Sequence, residues 1–147
     1  MNILLTGGTG YIGSHTSLVL DNAGHNVVLY DNLSNSNKSV NNNLSVISGK
    51  IFPFINGDIR DTQKLIQTFI DFKIDAVIHL AGKKAVNESI KKSIDYYDNN
   101  VVGTISLLKA MKHIKLKILV FSSSATVYGN PQYLPLDEKH PTNPNNP

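Results

Sequence analysis

The first thirteen residues, Met1-Asn2-Ile3-Leu4-Leu5-Thr6-Gly7-Gly8-Thr9-Gly10-Tyr11-Ile12-Gly13, run a short apolar stretch straight into glycines at positions 7, 10 and 13. An apolar helical pattern follows. A strand, a tight turn and a helix start in this order make a dinucleotide-binding unit. Gly7 lets the backbone turn where a Cβ would clash. Gly10 lets the main chain approach a pyrophosphate, and Gly13 lets the helix pack close to the strand. The free N–H groups and positive dipole end of that helix then face the phosphates.

Glycine spacing alone also marks ordinary turns, so a second signal matters. The next apolar run, Val27-Val28-Leu29-Tyr30, ends in Asp31. That acid lies near the separation of roughly 20 residues expected for a ribose-binding carboxylate. An ionised Asp31 accepts hydrogen bonds from both adenosine ribose hydroxyls and repels a 2′-phosphate, which favours NAD over NADP. The plainer role is a turn-capping Asp at a strand end. Strand, glycines, helix, strand and acid in register favour the cofactor.

Strand-like and helix-like runs alternate from there on. Strands are predicted at Ile3 to Thr6, Val27 to Tyr30, Ile51 to Ile55, Ala76 to Leu80 and Ile118 to Phe121. Pro53 puts the third at a strand end or an edge. Helices are predicted from Tyr11 to Ala23, with Gly24 as a stop, and after Asp61, which caps a segment carrying Leu65, Ile66, Phe69 and Ile70. The longest helical pattern, Ile94 to Met111, places Ile94, Tyr97, Val101, Ile105 and Leu108 at steps of three and four. The Asn- and Ser-rich stretch from Asn32 to Asn43 reads as loop, with room for a short helix after it. Residues from Asn130 onward read as loop. Alternation implies an α/β fold with a doubly wound parallel sheet, strand order 3-2-1-4-5, and ligands at the carboxyl ends of strands beside the switch between strands one and four. Residues 1–129 form the dinucleotide-binding domain in this reading, and 130–147 a trailing loop.

The chain has 147 residues, 41% of them hydrophobic, enough for one domain with a real core. It holds no cysteine, hence neither disulfide nor thiolate metal site. Neither a signal peptide nor an apolar run long enough to cross a bilayer is visible, so a cytoplasmic enzyme or enzyme fragment is expected. The net charge of +3 is spread over Lys109, Lys112, Lys115, Lys117 and others rather than gathered in a basic run. A solvated surface, not nucleic-acid or membrane binding, follows.

Thr6-Gly7-Gly8-Thr9-Gly10-Tyr11-Ile12-Gly13 resembles the signature of the extended short-chain dehydrogenase/reductases that act on nucleotide sugars. Asp31-Asn32-Leu33-Ser34-Asn35-Ser36, Gly57-Asp58-Ile59-Arg60-Asp61, His79-Leu80-Ala81-Gly82, Tyr96-Tyr97-Asp98-Asn99-Asn100 and Ser122-Ser123-Ser124-Ala125-Thr126-Val127-Tyr128-Gly129 follow in order. Together they are similar to the amino-terminal portion of the UDP-glucose 4-epimerase family. The resemblance implies NAD as cofactor, UDP-galactose and UDP-glucose as partners, and a homodimer formed through helices such as the one around Ile94 to Met111. It places Gly7, Gly10, Tyr11, Ile12 and Gly13 at the pyrophosphate, and Asp31, Asn32, Leu33, Ser34, Asn35 and Ser36 around the adenosine ribose. Asp58 and Ile59 border adenine, with Asp58 accepting from its exocyclic amine. Leu80, Ala81, Gly82, Lys83 and Lys84 line the phosphates and nicotinamide ribose, with Asn99 and Ser122 nearby. Ser124 is the implied catalytic residue, beside the sugar hydroxyl that loses its proton; Lys84 and Ser124 also touch substrate.

Each position has a plainer role beside the implied one. Asp58 could close a turn before Arg60, Lys84 could be a solvated lysine, and His79 is a satisfied core histidine rather than a ligand. Asn99 and Asn100 are poor helix formers in a helical pattern and need a partner.

Epimerisation at C4 needs a cofactor to take and return hydride. The family's base is a Tyr whose acidity is raised by a Lys four residues on. Four residues after Tyr11, Tyr30, Tyr96, Tyr97, Tyr128 and Tyr133 stand His15, Ser34, Asn100, Val101, Gln132 and Asp137, none of them Lys. The resemblance places that pair just past Pro147, so this polypeptide alone is expected to turn over little or no UDP-galactose. A nucleotide-sugar dehydratase or another epimerase of the superfamily is an alternative; dehydratases carry an acid near the catalytic serine, and Ser123-Ser124-Ala125-Thr126 has none. A non-catalytic NAD-binding module is another.

Overall fold

The computed structural model describes all 147 residues as five parallel strands flanked by helices. β1 (Asn2–Thr6), β2 (Asn26–Asp31), β3 (Phe54–Asn56), β4 (Ala76–His79) and β5 (Ile118–Phe121) lie in the order β3-β2-β1-β4-β5. That is the predicted order. β1 is central, with Thr6 opposite Tyr30 on one side and His79 on the other. The chain's winding reverses there, so a crevice opens above the end of β1.

Adjacent strand residues point to opposite faces, which sorts the core into two layers. Leu4, Val28 and Val77 pack against Leu65 and Phe69 of α3 (Thr62–Asp71) and Leu107, Ala110 and Met111 of α6 (Gly103–His113). Leu5, Val27 and Leu29 face the other way, toward Leu18 and Leu20 of α1 (Tyr11–Asn22) and Leu44 of α2 (Ser39–Ser48). Burial on both faces is why β1 and β2 read as continuous apolar runs.

The caps follow the expected chemistry. The Asp61 carboxylate accepts from the Lys64 N–H at 3.0 Å and starts α3. Gly24, at φ +82°, turns the chain out of α1.

Four local readings change. Strand three is shorter and later than predicted, because Pro53 cannot donate to the ladder and pairing begins at Phe54 opposite Leu29. α2 begins at Ser39, inside the Asn- and Ser-rich stretch from Asn32 to Asn43 whose composition predicts loop. A short helix, α4 (Val86–Lys91), was not anticipated, nor was the 3-10 turn at Ala125–Tyr128. The long helix around Ile94 to Met111 is three pieces: α5 (Ser93–Tyr97), a π-helical turn at Asp98–Val102, and α6. Its apolar stripe does not face the core either. Ile94, Tyr97, Val101, Ile105 and Leu108 are each 44% exposed or more.

Candidate functional site

A cleft of about 220 Å³ opens over the carboxyl end of β1. Its floor is the turn between β1 and α1. Gly7 has φ +69°, and a Cβ there would meet the Ala81 nitrogen at 2.8 Å. A Cβ on Gly13 would stand 2.2 Å from the Gly7 carbonyl oxygen. The turn and the first coil of α1 therefore touch backbone to backbone. The first i→i−4 bond of α1 runs from Ser14 to Gly10. The N–H groups of Tyr11, Ile12 and Gly13 precede it and are free for an anion.

Asp31 stands on one flank of the cleft, 7% exposed. Its Oδ2 accepts from the Thr9 N–H at 3.2 Å. Its Oδ1 accepts from the Leu33 N–H at 2.9 Å and from the Ser36 hydroxyl at 3.2 Å. Thr9 and Ser36 hydroxyls pair at 2.7 Å. One carboxylate thus ties the glycine turn to the loop after β2.

The far flank is the segment after β4. Asn100, from the π turn, clamps it in both directions. Asn100 Oδ1 accepts from the Lys83 N–H at 2.8 Å, and its Nδ2 donates to the Lys83 carbonyl at 2.9 Å. Asn99 Nδ2 donates to the same Oδ1 at 2.9 Å.

The structure gathers most of the predicted residues in this cleft. Gly7, Gly10, Tyr11, Ile12, Gly13, Asp31, Asn32, Ser34, Asn35, Ile59, Leu80, Ala81, Gly82, Lys83, Lys84 and Asn99 all line it. Leu33, Ser36 and Asp58 do not. Leu33 is the left-handed residue, φ +59°, that turns the loop around Asp31. The Ser36 hydroxyl is committed to Asp31 and Thr9. Asp58 lies behind Asn32, with Oδ1 accepting from the Arg60 backbone and Nε and Oδ2 from Arg60 Nη2 and Asn32 Nδ2. The Arg60 guanidinium holds the Asp58 carboxyl well below the usual range, against a smaller effect of burial. Arg60 also bridges to Asp98 of the π turn.

Ser122 and Ser124 line a second cavity of about 320 Å³ on the other side of the Leu80–Lys84 segment. The two hollows share that segment as their wall. Ser124 is exposed at the end of β5. Its Oγ pairs with Thr126 Oγ1 at 2.8 Å and accepts from the Thr126 N–H at 3.3 Å, capping the 3-10 turn.

Two lining residues were not foreseen. Tyr30 lies under the cleft, its hydroxyl donating to the Asp58 carbonyl at 3.0 Å. Burial pushes its phenol well above the usual range, helped by Asp61 and Asp58. Gly57 passes over the same ring, where a Cβ would come 2.4 Å from it. The glycine after strand three is the only trace of this in the sequence. His79 is 2% exposed and bonds Thr6 through Nδ1 and Thr104 through Nε2. Burial, with repulsion from Lys84, lowers its pKa to about 4.

A family model, GDP-mannose 4,6 dehydratase, matches residues 4–147. The chain belongs to that family. Within it, the chain is 54% identical over 139 residues to a UDP-glucose 4-epimerase of Yersinia enterocolitica, a match covering 95% of this chain and 41% of that protein. It is 49% identical over 138 residues to a UDP-glucose 4-epimerase sequence of Klebsiella pneumoniae, covering 94% of this chain and 99% of the Klebsiella sequence. The crystal structure of UDP-glucose 4-epimerase from Bifidobacterium longum in complex with NAD+ and UDP superposes with a TM-score of 0.95 at 45% identity. That match covers 97% of this chain and 43% of the other. The chain thus spans about two fifths of the length of the Yersinia and Bifidobacterium family members. No helix is long and apolar enough to cross a membrane.

Proposed function

We propose that this chain carries the NAD site of a UDP-glucose 4-epimerase, the enzyme that interconverts UDP-galactose and UDP-glucose. The observation that carries the reading is one cleft joining the Gly7–Gly13 turn, the Asp31 carboxylate and the Leu80–Lys84 segment at the switch point of the sheet. A Cβ at Gly7 or Gly13 would collide with the backbone that shapes the turn, and the tight turn leaves free N–H groups at the start of α1 on which a diphosphate can lie. In this reading the Tyr11–Gly13 amides hold the pyrophosphate and Asp31 grips the adenosine ribose. Asn32, Ser34, Asn35 and Ile59 enclose the base and its sugar. Lys83, Lys84 and Asn99 face the phosphates and second ribose.

NAD, when bound, supplies the reversible removal and return of a hydride at sugar C4. Ser124 lies across the shared wall, where its hydroxyl would bond the sugar oxygen that loses a proton. The absence of an acid between Ser122 and Val127 supports epimerisation over dehydration. None of the six tyrosines has a Lys four residues on, so the isolated 147-residue chain is expected to bind NAD+ without appreciable turnover of UDP-galactose. The exposed stripe from Ile94 to Leu108 supports a homodimer.

Calorimetric titration of the purified chain with NAD+ and NADP+ tests the cofactor reading. Saturable NAD+ binding at least tenfold tighter than NADP+, about 1.4 kcal/mol, is expected. Equal affinity for the two, or none for either, overturns it.

A further inference from the structure

Behind the wall shared by the two hollows runs a closed circuit of hydrogen bonds. The Ala81 N–H donates to Thr6 Oγ1 at 3.3 Å. Thr6 Oγ1 lies 2.6 Å from His79 Nδ1, and His79 Nε2 lies 3.0 Å from Thr104 Oγ1. The Thr104 hydroxyl donates to the Asn100 carbonyl at 2.6 Å. The Asn100 amide returns to Lys83, two residues from where the path began.

The direction of every proton follows. A carbonyl only accepts, so the single hydroxyl proton of Thr104 is spent on Asn100. Toward His79 the Thr104 oxygen can then only accept, and Nε2 must carry the ring hydrogen. Nδ1 is bare and accepts from the Thr6 hydroxyl, whose own oxygen receives the Ala81 N–H. The ring has no vacancy for a second proton without breaking a bond, and burial already disfavours its charge.

We infer that His79 and Thr104 are positioning residues, which hold the Ala81–Lys83 backbone at both ends through this circuit and so set the cofactor-facing wall. The inference rests on the proposed NAD site for its functional consequence. Its geometry does not depend on that site. Sheet pairing secures the chain only as far as Leu80, whose N–H donates to the Thr6 carbonyl. Beyond it, the Ala81–Lys83 backbone is held by Thr6 and Asn100 alone among side chains. Thr104 orients Asn100 by its carbonyl, and His79 orients Thr104.

The test pairs Thr104→Val, which keeps shape and removes the hydroxyl, with Thr104→Ser, which keeps the hydroxyl. Nitrogen-15 NMR of the 147-residue chain is expected to show His79 protonated at Nε2 alone. In Thr104→Val the tautomers mix and the Ala81 and Lys83 amide signals move, while calorimetry shows NAD+ bound about tenfold more weakly, the scale of one lost hydrogen bond with a buried partner left over. Thr104→Ser restores all three readouts. Urea midpoints confirm that both variants are folded. A His79 protonated at Nδ1 in the parent chain overturns the inference. So does a folded Thr104→Val with unmoved Ala81 and Lys83 amides, or a loss that Thr104→Ser fails to restore. If the parent chain binds no NAD+, the proposed function falls, and the tautomer and amide signals still decide the circuit.

Discussion

A methyl group on residue 13 has nowhere to go. Its nearest neighbour is the carbonyl oxygen of Gly7, at 2.2 Å, and that oxygen is fixed by accepting the Gly10 N–H at 3.1 Å. Gly13→Ala must push α1 off the turn. About 2 kcal/mol of stability should be lost, within the range of strained-backbone substitutions, together with most NAD+ binding; urea titration and calorimetry measure the two. Asp31→Ala acts differently. It removes the proposed ribose partner and also orphans the Thr9 and Leu33 N–H groups, so NAD+ should weaken about a hundredfold, some 2.7 kcal/mol, while the preference over NADP+ disappears. Loss of NAD+ affinity with the preference intact would contradict the role given to its charge. His79 contributes through pH. Its pKa is about 4 in the fold and near 6.5 in the unfolded chain. Between those values the unfolded chain binds a proton that the folded one refuses, so stability falls as pH drops from 6.5 to 4 and is unaffected by this group above 6.5. The full effect is on the order of 3 kcal/mol. His79→Gln, which cannot titrate, should flatten that part of a pH–stability curve. The Asp58 carboxyl, held low by Arg60, takes over only below about pH 4, where its protonation in the unfolded chain begins to draw stability away.

The π turn is the element on which the site's far flank depends. Five residues, Asp98–Val102, accommodate an additional residue in the helix, and the Asn100 amide reaches Lys83 while the Asn99 amide donates to Asn100 Oδ1. Just after it, Gly103 lets α6 approach Ile59, whose Cγ2 would lie 2.5 Å from an added Cβ. Gly103→Ala should cost about 1–3 kcal/mol by overpacking and loosen NAD+ binding by shifting the π turn, which thermal unfolding and calorimetry would register. This element also marks the limit of what the sequence could tell. The β1 turn and Asp31 were legible because glycine, helix start and acid act through local backbone chemistry. The apolar period from Ile94 to Met111 was legible as helix. The π turn was not, because it goes with a side-chain clamp between Asn100 and Lys83, seventeen residues apart, which no periodicity records. α2 was hidden for a related reason. Its sequence, SVNNNLSVIS, buries only Leu44 and carries little apolar pattern. Asp58 and Ser36 each also serve the protein itself, Asp58 through Arg60 and Asn32 and Ser36 through Asp31 and Thr9, and these contacts join residues that no local pattern links.

At the scale of the whole molecule the two halves of the sheet are unequal. β1 and β2 are buried on both faces, whereas Ile118, Val120 and Phe121 of the edge strand β5 are each at least half exposed. The helical stripe of Ile94, Tyr97, Val101, Ile105 and Leu108 is open as well. A net charge of only +3 offers little repulsion against association, and contiguous apolar surface of this kind marks an interface. A parallel edge strand and a helical face would assemble differently. The edge offers unpaired backbone groups to another strand, while a stripe at steps of three and four pairs helix against helix and closes as a two-fold dimer. The stripe lies on the opposite side of α6 from Leu107, Ala110 and Met111, so it can be altered without touching the core. Sedimentation equilibrium of the chain should therefore give a discrete dimer. Ile105→Glu combined with Leu108→Glu should weaken it at least a hundredfold, some 2.7 kcal/mol, with the urea midpoint unchanged. Ile118→Lys with Val120→Lys should leave the dimer in place and suppress only larger species. If the β5 pair abolishes the dimer and the helix pair does not, the two-fold contact lies on the sheet edge. If the parent chain is monomeric at every concentration, the stripe is not an interface between copies of this chain.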